Sequence, residues 1–392
     1  MNKHLLYSFI IVASLFTITT LVFIYGRGYR FNFNLSKPEV NGTGLFVATS
    51  EPDGAQVFIN GHLSTATDNT INLMPGDYDV KIFKEGYFPW TKKIKVQKEV
   101  VAKAEALLLP VAPKLESITS IGISNPVIDP SMINIGYTVS SQSARKNGVY
   151  VLNMTTRLLT LQSASTQIAD DTIDTFSSSS ILWSPNGQEI LATTSGGTMY
   201  ILENTNSTQI PKDVNNTLTI LQDTWNTERA EKEQARMYGL KLSLKKMVME
   251  NFHILSWSPD ETKILYQASS SAGLPIIISP RLIGTNSTPE ERNIKQKNIY
   301  LYDLKEDKNY KINVQEEALT SLTWLPDSKH ILYVQDKKIF IADYDSTNAT
   351  TIYAGPFIGK YAFPWPNGSK IVILTNLGNQ QLAPNLYTIS LK

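Results

Sequence analysis

The chain of 392 residues has 36 Lys and Arg against 35 Asp and Glu, and the resulting net charge of +1 provides no general positive field for binding nucleic acid. Cysteine is absent, which excludes disulfides, thiolate catalysis and cysteine–metal sites. The length exceeds the usual size of a single hydrophobic core, so we expect two or more folded units.

The N-terminal segment is an apolar run without a charged residue from Leu5 to Tyr25. A helix of this length spans about 30 Å, which matches the hydrocarbon core of a bilayer. A cleaved signal peptide is the alternative, but the run is too long for an ordinary signal sequence, and Gly26–Arg30 is not a small-residue cleavage site. We therefore predict that residues 1–26 form an uncleaved transmembrane helix that anchors the chain in the membrane.

The orientation of this helix depends on the charges beside it and on the length of the chain that follows. Lys3 lies on one side, and Arg27 and Arg30 lie on the other, so the positive-inside count is nearly balanced. Long C-terminal domains translocate largely regardless of charge. We therefore predict a single-pass cell-membrane protein with an extracytoplasmic bulk. Residues 27–43 are expected to be a polar linker, since no sustained periodicity is evident there.

Residues 44–110 combine β-prone runs with strong turn signals. In the turn Pro52–Gly54 proline fixes φ and glycine supplies a positive φ. The run Ala55–Ile59 then alternates as a half-buried strand does, and Asn60-Gly61 is typical of a tight β-hairpin. Another turn at Pro75-Gly76 precedes a further alternating run. This pattern predicts a small antiparallel β-sandwich.

These residues resemble the PEGA domain, whose defining phrase appears here as Pro52-Asp53-Gly54-Ala55, with Asp in place of Glu. The later glycine–tyrosine turn of that family appears as Gly86-Tyr87, with Trp90 beyond it. The resemblance implies a structural or adhesive module of the kind found in surface or membrane-linked proteins. It implies no catalytic residues.

A proline followed five residues later by an isoleucine recurs along the rest of the chain. The pairs are Pro130/Ile135, Pro185/Ile190, Pro259/Ile264, Pro326/Ile331 and Pro366/Ile371. Trp183, Trp257 and Trp324 each stand two residues before the proline, whereas Trp365 is displaced by one place. Repetition of a strand–turn–strand unit is typical of a radial or stacked β architecture.

The phrases beginning at Trp183, Trp257 and Trp324 resemble the WD-repeat-like blades of TolB-type β-propellers. This resemblance covers residues 115–392 and implies about five or six blades, with each tryptophan packed between neighbouring blades. The stiff connector Leu109–Pro113 separates this unit from the sandwich. The predicted fold class is therefore mainly β: an N-terminal transmembrane helix, a PEGA-like sandwich and a β-propeller.

Two insertions interrupt the repeats. Residues 224–249 are charged and helix-prone, with Thr227 as a possible cap and Gly239 as the point that divides two helices. This segment could dock a partner or touch lipid headgroups, or it could simply pack its apolar face on its own propeller. Residues 267–297 form a long loop rich in Ser, Gly, Pro and Asn, and loops of this length are usually functional or disordered.

No constellation of residues in the sequence predicts chemistry. The four histidines, His4, His62, His253 and His330, are not paired at metal-ligand spacing. The acidic cluster Asp170–Asp174 lacks the glycine and distal glutamate of a calcium loop and is interpreted as a solvated loop. We therefore predict no catalytic, cofactor-binding or metal-binding residues, no nucleic-acid partner and no enzyme activity.

The predicted function is that of a membrane-anchored extracytoplasmic scaffold that binds a protein or a cell-envelope polymer. One alternative is a carbohydrate-binding or carbohydrate-processing propeller, which requires clustered exposed aromatic residues and paired carboxylates. A second alternative is a regulatory sensor whose propeller lies in the cytoplasm.

Overall fold

The computed structural model describes residues 3–26, 29–34, 37–155, 165–205 and 207–392. These residues form two compact units. Unit 1 contains the chain up to Leu108 together with Ile278–Pro289, and unit 2 contains Leu109–Ile277 and Glu290–Lys392. The described chain is mainly β, as predicted.

Helix α1 (Lys3–Gly26) forms where the sequence predicts a helix, but the prediction that it spans a membrane is wrong. Within the described residues, no helix has both the length and the apolar character that crossing a bilayer requires. The prediction gave more weight to Leu, Ile, Val and Phe than to the hydroxyl residues among them.

The segment predicted to be a linker contains an antiparallel hairpin of β1 (Tyr29–Asn34) and β2 (Lys37–Gly42). The sequence of β1 alternates aromatic with polar residues, which is the period of a strand. The prediction overlooked this short pattern because it looked for a sustained one.

Two sheets form the sandwich of unit 1. Their strands are β3 (Gly44–Glu51), β4 (Gln56–Ile59), β5 (His62–Ala66), β6 (Asn69–Leu73), β7 (Gly76–Phe83), β8 (Trp90–Val96) and β9 (Val101–Leu107). One sheet has the order β6-β3-β9 and the other β5-β4-β7-β8. Val57 and Ile82 are fully buried between them, and Asn60 and Gly61 adopt the positive φ angles of the predicted hairpin turn.

The prediction of an antiparallel sandwich is wrong for one pair of strands, because β3 and β9 pair in parallel. The turn between β8 and β9 returns the chain to the start of β3, where the Leu45 amide donates to the Val100 carbonyl at 3.0 Å. Gly44 permits this approach, since a Cβ there would lie 2.3 Å from the Gln97 carbonyl oxygen. Such long-range pairing is not visible in the local pattern of either strand.

Unit 2 contains five four-stranded antiparallel sheets among the described residues, and this number lies within the predicted five or six blades. Blade 1 contains β11 (Ser124–Ile128), β12 (Asn134–Val139), β13 (Gly148–Asn153) and β14 (Ser165–Asp170); it follows β10 (Leu115–Ser117) in the chain. Blade 2 contains β15 (Ser180–Trp183), β16 (Glu189–Thr193), β17 (Met199–Glu203) and β18 (Lys212–Asp213). Helices α2 (Leu218–Tyr238) and α3 (Leu242–Asn251) follow blade 2.

Blade 3 contains β19 (Phe252–Trp257), β20 (Lys263–Ala268), β23 (Ile299–Asp303) and β24 (Lys308–Ile312). A small ribbon of β21 (Ala272–Gly273) and β22 (Asn293–Ile294) lies between β20 and β23. Blade 4 contains β25 (Thr323–Trp324), β26 (His330–Gln335), β27 (Lys338–Asp343) and β28 (Thr350–Tyr353). Blade 5 contains β29 (Ala362–Pro364), β30 (Lys370–Thr375) and β31 (Asn385–Ser390), and β10 completes it by pairing with β31. This closure joins the first strand of the unit to the last, as in a closed propeller.

The repeated isoleucines occupy one structural position. Each lies on the second strand of its blade and is fully buried, and the five are Ile135, Ile190, Ile264, Ile331 and Ile371. In three blades the repeated tryptophan pairs directly across the hairpin with this isoleucine. The sequence repeat therefore marks the first hairpin of each blade, as predicted.

Trp183, Trp324 and Trp365 each pack where two blades meet. Trp183 shares a cluster with blade 1, and its indole Nε1 donates to the Val127 carbonyl at 3.0 Å. Trp324 shares a cluster with blade 3. Trp365, displaced by one position, instead packs with blade 1, because a shift of one residue moves a side chain to the opposite face of a strand.

Candidate interaction surface

The helical insertion lies between blades 2 and 3 and is longer than predicted. Helix α2 begins at Leu218 rather than at Thr224. Thr227 does not cap a helix, since its hydroxyl donates to the Asp223 carbonyl one turn earlier. Gly239 separates α2 from α3, as predicted, with a φ of −73° that any residue can adopt.

Helix α2 contacts both neighbouring blades with buried side chains. Trp225, near the middle of the helix, packs with Leu191 and Ile201 of blade 2. Met237, near its C-terminal end, packs with Phe252 and Trp257 of blade 3. The insertion therefore occupies the seam that Trp257 would otherwise share with blade 2.

Polar contacts attach α2 to the repeated hairpins. Lys232 Nζ donates to the Pro185 carbonyl at 2.9 Å in the turn of blade 2. The indole Nε1 of Trp257 donates to the Glu233 carboxylate at 3.0 Å, and the Arg236 guanidinium lies 5.8 Å from the Trp257 ring centroid. Arg236 Nε also donates to Glu261 Oε1 at 2.8 Å. These contacts hold α2 in a single position across two blades.

Helix α3 directs its apolar face toward blade 3. Leu244 and Val248 are buried, and Leu240 and Met247 are partly buried against the same cluster. The interpretation in which this face packs on the propeller itself is thereby confirmed. It does not account for the apolar residues on the other side of the helix.

The helical insertion exposes three large apolar side chains: Tyr238 is 88% exposed, Leu242 84% and Met249 72%. Leu242 and Met249 are seven residues apart, so they lie on one side of α3. Lys245 and Lys246 lie between them on that side. We call Leu242, Lys245, Lys246 and Met249 the α3 patch. Its apolar and basic groups together can contact a surface that is both apolar and acidic.

A cleft of about 380 Å³ lies at the end of blade 3. Its lining includes the apolar residues Ile299, Ile312 and Leu319 and the charged residues Lys297, Lys311 and Glu316. A cleft of this size, lined by both apolar and charged residues, can accept a small polar molecule or a side chain of a peptide. Sequence reasoning missed it because its residues come from three separated segments.

His330 belongs to a buried ion-pair network rather than to a reactive site. Its Nδ1 lies 2.6 Å from Asp327 Oδ2 and its Nε2 lies 3.3 Å from Asp343 Oδ1. Burial disfavours the imidazolium, but hydrogen bonds and the charges of both carboxylates outweigh this effect and raise the pKa of His330 to about 9. With both ring nitrogens engaged and the side chain buried, His330 stabilises blade 4. Across the described ranges, no group of His, Asp and Glu residues could hold a metal ion.

The carboxylates of the acidic cluster accept hydrogen bonds from nearby backbone groups. Asp170 accepts from the Thr172 amide, Asp171 from the Ser177 amide, and Asp174 from the Thr175 amide. These bonds shape the loop between β14 and β15.

The carbohydrate alternative requires exposed aromatic residues, but the described tyrosines at the centre of blade 3 are buried. Tyr266, Tyr300 and Tyr302 lie within its core, where their rings pack against one another or against Phe252. They stabilise the blade and are not available to a sugar ring.

Comparison with known proteins supports the assignment of unit 1. The PEGA domain family model matches residues 43–110, which confirms the resemblance seen in the sequence. A search of curated proteins found no match.

Two solved structures of TolB are similar to parts of the chain. TolB from Agrobacterium tumefaciens is 13% identical, with 67% of this chain and 76% of that chain covered and a TM-score of 0.23. TolB from Acinetobacter baumannii is 14% identical, with 80% of this chain and 59% of that chain covered and a TM-score of 0.25. The propeller assignment therefore rests on the sheet topology of unit 2, and the WD-repeat-like designation stays a prediction. What the comparisons establish is that residues 43–110 match the PEGA domain family.

Proposed function

We propose that the chain is a protein-interaction scaffold and not an enzyme, and that the α3 patch binds a protein partner whose surface is acidic and partly apolar. The observation that carries this proposal is the exposure of Leu242 and Met249 beside lysines on one side of α3. Covering each of these side chains would contribute about 1.5–3 kcal/mol to binding.

The anchoring of α2 supports this role. A surface that is already fixed loses little conformational entropy when a partner binds. The contacts of Lys232, Glu233 and Arg236 fix α2 against blades 2 and 3, and α3 is packed on blade 3. The patch is therefore presented on a rigid base.

The lysines of the patch specify the charge of the partner. Lys246 pairs with Glu250 at 3.9 Å, but both side chains are exposed, and such surface pairs contribute little. Lys245 and Lys246 can therefore give up contacts with solvent or a weak ion pair and bind carboxylates of the partner instead. An acidic partner would associate faster at low salt than at high salt.

The proposal is tested by placing a photo-crosslinking amino acid at Met249 and, as a matched control, at Ile173, an exposed apolar residue in the loop between β14 and β15. We expect a protein adduct at position 249 and none at position 173. The identified partner, once purified, should bind the full chain and should lose most of its affinity for the Leu242→Asp variant. Equal adducts at both positions, or unchanged affinity for Leu242→Asp, would refute the proposal.

We also propose that the scaffold works outside the cytoplasm, as the PEGA resemblance of residues 44–110 suggests. Protease added to intact cells should then digest unit 2. Protection of unit 2 in intact cells, followed by digestion after lysis, would instead favour the cytoplasmic alternative. A polymer adduct in the crosslinking experiment would favour an envelope polymer as the partner.

A further inference from the structure

The segment Ile278–Pro289, which we call the strap, leaves the long loop of blade 3 and belongs to unit 1. The Lys95 amide donates to Ser287 Oγ at 2.8 Å, although the two residues are 192 positions apart in the chain. The Gly284 amide donates to Gln97 Oε1 at 3.1 Å. The strap therefore lies along strand β8 and the turn that follows it.

Strand β8 is the outer strand of the sheet β5-β4-β7-β8. Its Lys95 amide points away from β7 and is bound by a side-chain hydroxyl, where a further strand would offer a backbone carbonyl. Because every second residue of a strand points its amide to the same side, the Lys93 amide faces the same way. An edge of this kind is a template for pairing with another extended segment.

The seat of the strap on unit 1 depends on Gly284. Its φ is +71°, and a Cβ built there would lie 2.5 Å from Val100 Cγ1. A larger residue would be strained by its backbone conformation and would also collide with Val100. Substitution at this one position should therefore release the strap.

The base of the strap has its own attachment in unit 2. Arg292 Nη2 and Asp307 Oδ1 form a buried ion pair at 2.8 Å, and the Ile277 amide donates to Asp307 Oδ2 at 2.7 Å. These contacts flank the strap on both sides in the sequence. They do not involve β8, so release of the strap from the edge need not disturb them.

We propose that the outer edge of β8 is a docking site for an extended acidic peptide segment of a protein partner, and that the strap occupies this edge until the peptide displaces it. The peptide would add a strand through backbone hydrogen bonds, beginning with the Lys95 amide. Lys93 and Lys95 are exposed on β8 and select acidic side chains. Lys93 lies 3.8 Å from Asp79, but both side chains are largely exposed, so the pair is easily exchanged. This site is distinct from the α3 patch and does not depend on it.

The test uses the full chain and a fluorescein-labelled heptapeptide of alternating aspartate and valine. Suppose that the edge of β8 is uncovered in about a tenth of the native molecules. Release of the strap by Gly284→Val should then raise the apparent affinity for the peptide about tenfold. The double variant Lys93→Glu/Lys95→Glu should lose binding. Lys103→Glu, a single substitution of the same kind on the edge strand β9 of the other sheet, should retain binding.

Amide hydrogen exchange at Lys95 supplies a second readout that does not depend on affinity. Exchange should be slow in the native chain, faster in Gly284→Val, and slow again when the peptide is added to that variant. The docking proposal is overturned if Gly284→Val fails to bind the peptide, or if the peptide fails to protect Lys95. Unchanged exchange in Gly284→Val would overturn the role of the strap.

Discussion

The first hairpins of blades 2 and 3 have nearly the same sequence phrase but different surroundings. In blade 2 the Trp183 indole donates to the Val127 carbonyl of blade 1. In blade 3 the Trp257 indole donates to Glu233, a side chain of the helical insertion. The repeat therefore determines the hairpin and the inward direction of its tryptophan, whereas the partner of that tryptophan depends on what lies next to the blade.

The turns of the two hairpins share the same pattern of hydrogen bonds. Ser184 Oγ donates to Asn186 Oδ1, and Ser258 Oγ donates to Asp260 Oδ1, both at 2.7 Å. Each serine oxygen also accepts a backbone amide from the start of the next strand. The two turns thus form in the same way, whereas the contacts of the tryptophans differ between the neighbouring blades.

Replacing each tryptophan with alanine should have the largest effect and should separate the two cases. Both Trp183→Ala and Trp257→Ala leave a large cavity, which costs about 3–5 kcal/mol of the free energy of unfolding. Urea denaturation of the full chain measures this loss. Only Trp257→Ala should also accelerate amide exchange along α2, since the Trp257 indole bonds to Glu233 of α2 whereas the Trp183 indole bonds to blade 1.

Leu182→Ala is the matched control for these variants, because Leu182 is 51% exposed on the same strand as Trp183. Its effect should stay within about 0.5 kcal/mol. Faster exchange of α2 in Trp183→Ala would contradict the assignment of separate seams to the two tryptophans.

Blade 4 sharpens the comparison because its hairpin uses ionised groups where blades 2 and 3 use a serine hydroxyl. Asp327 accepts the amides of Lys329 and His330, and its carboxylate also pairs with the His330 ring. Since the pKa of His330 is raised from 6.5 to about 9, the stabilisation is fully present below pH 6.5 and is lost as the pH rises through 9.

The change in pKa corresponds to about 3 kcal/mol of the free energy of unfolding. Urea denaturation between pH 6 and pH 10 should show this loss in the native chain. His330→Gln should be less stable at pH 6 and should lack the loss on going to high pH. An identical pH dependence in the two proteins would show that His330 is not charged in the folded state.

The sequence was sufficient to predict features that arise from local patterns. The isoleucines five residues after each proline predicted the buried second strand of every blade, and Asn60-Gly61 predicted a hairpin with positive φ angles. It was insufficient where distant segments meet. The parallel pairing of β3 with β9, and the contact of Lys95 with Ser287, depend on the path of the whole chain.

Local sequence patterns were also insufficient to predict the whole of the candidate surfaces. The pattern of α3 predicted its buried face, because apolar residues recur at helical spacing. The exposure of Tyr238 and Leu242 depends instead on how the helices dock against blade 3, which no local pattern records.

The smallest expected effect tests the contact that distinguishes blade 3 from blade 2. Glu233→Ala leaves the Trp257 indole without its acceptor, which should cost about 1–3 kcal/mol of the free energy of unfolding. Glu228→Ala is the matched control on the same helix. Glu228 lies 4.0 Å from Lys232, an i,i+4 pair of the kind that contributes about 0.3–0.5 kcal/mol.

A double-mutant cycle isolates this contact from changes in helix propensity. Trp257→Phe keeps most of the ring but removes the indole donor, so Glu233→Ala should destabilise that variant less than it destabilises the native chain. A coupling free energy of at least about 0.5 kcal/mol is expected for residues in direct contact. If the two changes are additive, the Trp257–Glu233 bond does not hold the insertion, and the rigidity of the α3 patch must come from the other contacts of α2 and α3 with blades 2 and 3.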